Sequence, residues 1–90
     1  LEDRIKVEVL SAEVALRAAY ENVRIAHRTV AVSEQLASAE RRRFEQGDSD
    51  ILRVNLREIS ATDARVAEVD ATLQYYKATA DFTAALGRTY

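Results

Sequence analysis

The chain has 90 residues, enough for one domain, but its 48% hydrophobic content leans on alanine and includes no tryptophan or methionine. Such a chain can form narrow helix–helix seams and cannot fill a thick globular core. A formal net charge of -2 with both signs interspersed excludes the basic, clustered footprint of a nucleic-acid binder, and Arg41-Arg42-Arg43 is too short a run to change that. The absence of cysteine excludes disulfides and thiol chemistry and leaves the compartment open. No stretch approaches the roughly 20 apolar residues of a membrane helix, and no signal peptide is visible. The chain opens Leu1-Glu2 without a starting methionine, which reads as a piece cut from a larger protein.

The spacing predicts a first helix over about 2–45. Apolar residues recur every seven positions at Val9, Leu16, Val23, Val30, Ala37 and Phe44. Three residues on stand Ala12, Ala19, Ala26 and Ser33, giving a heptad seam of bulk at one position and small residues at the other. A second series runs Ser11, Ala15, Ala18, Asn22, Ile25, Thr29, Val32, Leu36 and Ala39. It is centred about 100° from the first at 3.5 residues per turn. Two seams suit a helix with neighbours on both sides.

With no proline, and with glycine only at 47 and 87, the chain reverses most easily at Gly47. The tip is expected over about 46–49. Gly47 can take the left-handed conformation that closes a helix, and Asp48 or Ser49 can cap the next one. Arg41, Arg42 and Arg43 sit where cations oppose the negative helix end, and Asp48 and Asp50 where anions are favoured.

The second helix is expected over about 49–86, with Gly87 as its terminator. One series is Leu52, Ile59, Val66, Leu73 and Ala80; another is Val54, Ala61, Ala64, Ala71, Tyr75, Ala78, Phe82 and Ala85. Glu68 interrupts the latter and is assigned to a wet edge. The spacing does not say which series faces the other helix. Glu2 with Lys6 and Glu13 with Arg17 are i,i+4 pairs worth a few tenths of a kcal/mol. The expected fold is all-α: a long antiparallel two-helix coiled-coil hairpin spanning 1–90.

The residue inventory points away from an enzyme. His27 is the only histidine, so a Ser-His-Asp triad would have to use it; without evident partners it reads as an ordinary helix-surface residue. Asp48 with Asp50 is explained by capping. Asp63 and Asp70 lie two turns apart, about 10.5 Å, too far for a shared ion on one helix. No phosphate loop exists. Tyr75, Tyr76 and Phe82 read as packing residues. No cofactor and no metal are expected.

Arg43-Phe44-x-x-Gly47-x-Ser49-x-Ile51-Leu52-x-Val54, followed by an alanine-rich helix ending Ala84-Ala85-Leu86-Gly87, resembles the TolC family of outer-membrane efflux proteins. In that family an aromatic residue stands three positions before a glycine at the tip of a helical hairpin, and the returning helix runs some 40 residues to a Leu-Gly pair. Ala19-Tyr20 and Val23 to Val30 also look like the family's incoming helix. The likeness covers nearly the whole chain and rests mainly on 43–87.

The resemblance implies a homotrimer in the outer membrane of a Gram-negative bacterium, with a β-barrel in the lipid and a barrel of α-helices in the periplasm. Each subunit contributes two hairpins, whose tips meet a periplasmic adaptor protein and, through it, an inner-membrane pump or ABC transporter. This chain would be one periplasmic hairpin of the duct wall. Phe44, Gln46, Gly47, Asp48 and Ser49 would contact the adaptor. Family members often carry an aspartate six residues after the tip glycine and another further on; here those positions are Arg53 and Leu56. The acidic ring therefore does not carry over, and Asp50 and Arg53, with Asp48, would set any charge at the pore mouth. Two alternatives stand beside this reading: a periplasmic adaptor hairpin, whose own tip signature is not evident around Gly47, and a generic coiled-coil dimerisation module. As an isolated piece the hairpin is expected to self-associate, as a dimer with an antiparallel four-helix arrangement.

Overall fold

The computed structural model describes residues 2–89, and side chains over 3–88. Its element order is α1 (Glu2–Glu45) and α2 (Ile51–Thr89). Long runs without proline, rich in alanine, leucine, glutamate and arginine, sustain both helices despite β-branched stretches such as Thr29-Val30-Ala31-Val32. The first helix has the expected bounds. The second starts two residues later than expected and continues through Gly87. Gly87 does not stop it because that residue keeps a negative φ; a glycine ends a helix only where the chain turns left-handed.

The residues cluster into two units, 25–69 and 2–24 with 70–89. In each, the helices run antiparallel, because partners on α2 rise in number as those on α1 fall. Residues 25–69 contain the pairs Arg41–Glu58, Glu34–Arg65 and His27–Glu68. The other unit contains Tyr20–Tyr75 and Glu8–Arg88.

Burial decides which series faces inward. On α1 it is Val9, Leu16, Val23, Val30 and Ala37 with their small partners, all buried or half-buried. On α2 it is Val54, Ala61, Ala64, Ala71, Tyr75, Ala78, Phe82 and Ala85. The buried apolar residues are six alanines and Val54, and among the described residues no large side chain is fully buried. The seam is therefore narrow.

Three seam expectations are corrected. Phe44 continues the heptad in number but stays 38% exposed, because α1 ends one residue later and no further layer closes over it. Glu68 is half-buried on the seam, with its carboxylate 2.8 Å from Nδ1 of His27. His27 thus has a cross-helix partner, although its own side chain remains largely exposed. Of the neighbouring tyrosines Tyr75 packs across the seam, its ring 6.0 Å from that of Tyr20, while Tyr76 is largely exposed and its ring lies 6.0 Å from that of Tyr75. The Glu13–Arg17 pair forms at 2.7 Å; the Glu2 side chain lies outside the described residues.

Candidate functional site

The tip is built by backbone geometry. Gly47 adopts φ 83°, a conformation that costs an L-residue roughly 1–2 kcal/mol. This lets the Gly47 N–H donate to the Phe44 carbonyl at 3.0 Å and the Asp48 N–H to the Arg43 carbonyl at 2.8 Å. The two bonds form a Schellman closure that satisfies carbonyls left over at the end of α1. The Arg43 guanidinium adds a bond to the Asp48 carbonyl at 3.3 Å. A Cβ at Gly47 would meet nothing within 4 Å, so dihedral strain alone, not space, requires glycine here.

The second helix is capped by Asp50, not by Asp48 or Ser49. The Arg53 N–H donates to Asp50 Oδ1 at 2.9 Å, and the Val54 N–H donates to the Asp50 carbonyl at 3.2 Å. These are the two bonds of an N-cap residue. The later helix start moves the cap two positions along. Asp48 is already used, through its N–H and carbonyl, in closing α1. Asp50 and Arg53, the expected mouth charges, lie side by side, with Arg53 Nε 3.8 Å from Asp50 Oδ2. Their charges offset each other locally.

Of the expected contact residues, Phe44, Gln46, Gly47 and Asp48 are exposed, whereas Ser49 is half-buried. Ile51, Leu52 and Leu56 add exposed aliphatic surface beside them. The tip therefore combines apolar and polar groups on a framework held by backbone bonds.

Glu40, which the sequence reading passed over, is 6% exposed. Its carboxylate lies 3.6 Å from Arg43 and 3.7 Å from Arg57. A signal existed: Glu40 stands at the next step of the heptad Ala12, Ala19, Ala26, Ser33. A buried carboxylate is tolerated only with cationic partners, and it ties the end of α1 to the first turns of α2.

The outward series are exposed on both helices. In the unit of 25–69 they comprise Ile25, Val32 and Leu36 on α1, and Leu52, Ile59 and Val66, joined by Val69, on α2. Solitary exposed apolar residues are ordinary, but repeated ones on one face mark an interaction surface. Among the described residues no cluster of three or more His, Cys, Asp or Glu could hold a metal ion, and no helix is long and apolar enough to cross a membrane.

No protein-family model, curated protein or solved structure matches the chain.

Proposed function

We propose that this hairpin is a periplasmic wall element of a trimeric outer-membrane efflux or secretion channel of the TolC kind, with its tip as the adaptor-docking end. The observation that carries the reading is the tip: a Schellman closure at Gly47, with Phe44 three residues before it left partly exposed. The outward apolar faces of both helices support it, because a duct wall requires each helix to meet a neighbour on its far side. In this reading the hairpin performs no catalysis and holds no cofactor. Its partners are the other subunits, a periplasmic adaptor and, through that, an inner-membrane pump or ABC transporter.

The test uses the full-length parent protein. Proline at 47 would remove the N–H bonded to Phe44 and demand φ near −65° in place of 83°. Gly47→Pro is expected to abolish export while the protein still reaches the outer membrane as a trimer. Unchanged export at normal protein levels would sink the reading. So would fractionation of the unaltered parent with the inner membrane or the soluble periplasm, which would favour an adaptor hairpin or a scaffold.

A further inference from the structure

We infer that Tyr20 and Tyr75 form an oxidative modification site, at which a one-electron oxidant joins the two phenol rings into dityrosine and ties α1 covalently to α2. The inference does not depend on the channel reading.

Composition selects the residue type. Cysteine, methionine and tryptophan are absent from the chain, so the sulfur atoms that ordinarily take up oxidant first are missing. Tyrosine is then the side chain that gives up an electron most readily. The chain has four tyrosines. Tyr90 lies outside the described residues, and the other three stand together in the unit of residues 2–24 with 70–89.

Geometry selects the pair. The ring centroids of Tyr20 and Tyr75 are 6.0 Å apart, with the rings tilted by 49°, within the range of roughly 4.5–7 Å for aromatic rings in contact. Tyr75 is held half-buried in the inward series of α2. Tyr20 stands beside the buried Ala19 and is 50% exposed, so it is open to an oxidant and has room to turn its edge onto Tyr75. Tyr76 lies at the same 6.0 Å from Tyr75. Successive side chains leave a helix about 100° apart, however, and joining these two would require α2 to distort. Tyr20 and Tyr75 reach each other from facing helices, and their union leaves both backbones in place.

The coupling balances with a peroxide as oxidant. Each phenol gives up one electron and its hydroxyl proton and becomes a tyrosyl radical. The two radicals combine through a new carbon–carbon bond between ring carbons ortho to the oxygens. The hydrogens on those carbons then move to the oxygens, which restores both aromatic rings. With a haem peroxidase as catalyst, one hydrogen peroxide takes up the two electrons and two protons and leaves as two waters. The product constrains the unfolded chain as a disulfide does, in a chain with no cysteine to form one.

The test treats the full chain with a haem peroxidase and hydrogen peroxide at low protein concentration. The product is separated under denaturing conditions, digested with trypsin and read by mass spectrometry. The expected product is a single chain lighter by two hydrogens, in which peptide 18–24 is joined to peptide 66–77. Tyr20→Phe and Tyr75→Phe keep the packed rings and should each lose the joined peptide, whereas Tyr76→Phe should retain it. A cross-link confined to peptide 66–77 would overturn the inference, as would coupling mainly between chains. So would a joined peptide that survives Tyr75→Phe or disappears with Tyr76→Phe. A chain that stays unlinked while free N-acetyltyrosine couples in the same mixture would overturn it as well.

Discussion

Residues 25–69 and residues 2–24 with 70–89 use one heptad pattern and fill it differently. The first unit is closed by short side chains, with Ala37 on α1 and Val54, Ala61 and Ala64 on α2 all buried. Three cross-helix polar pairs rim it, and Glu40 is buried between arginines. The second unit sets bulk against alanine: Val9, Leu16, Val23, Tyr75 and Phe82 are half-buried around Ala19, Ala78 and Ala85. Its cross-helix contacts include the Tyr20–Tyr75 ring pair and Glu8–Arg88. Helix spacing follows the size of the contact residues. An alanine-lined seam therefore depends on close approach, and a bulk-lined seam on apolar area.

That contrast is broken most severely at Ala61, 3% exposed. Ala61→Leu forces the close-packed helices apart and should cost about 3 kcal/mol, near the upper range for overpacking. Urea denaturation at fixed protein concentration measures it, and a cost below that of a surface control would show that the seam does not depend on close approach. In the bulk-lined unit, Phe82→Ala should cost about 2 kcal/mol, less than the 3–5 of a fully buried ring because Phe82 is half-buried. Hydrogen exchange should place that loss first in residues 70–89.

Glu40→Leu sharpens the comparison in the opposite direction. It removes a desolvated carboxylate whose arginine partners remain half-exposed and free to hydrate. Stability should rise by about 1 kcal/mol, visible as a higher urea midpoint; a fall would show that the buried ion pairs contribute net stability. The smallest effect belongs to the rim. Glu34→Gln breaks the 2.9 Å bond to Arg65 between two half-exposed side chains and should cost about 0.5 kcal/mol, with the difference fading in high salt.

Local chemistry made much of the hairpin legible. Gly47 was identifiable as the turn because it is the one glycine in mid-chain, and glycine takes a left-handed backbone without the cost that a Cβ imposes. The end of α1 followed from it. The cap of α2 was misassigned because Asp48, Ser49 and Asp50 are all competent cap residues. The choice fell to Asp50 because α2 begins at Ile51, which leaves Asp50 as the residue whose Oδ1 meets the Arg53 N–H. The partnership of His27 with Glu68 was invisible for a similar reason. The two residues are 41 positions apart, and their meeting depends on the cross-helix register, which no helical spacing along one chain reports.

By itself the sequence determined two helices, one reversal and two apolar series on each helix, because heptad spacing and glycine dihedrals act within a few residues. Tertiary structure decided which series becomes the seam. Burial favoured the alanine-rich side of α2 over Leu52, Ile59, Val66 and Leu73, leaving the bulkier face outward. Short side chains permit close helix contact within the hairpin, while large aliphatic groups on the far side remain to be covered by a partner.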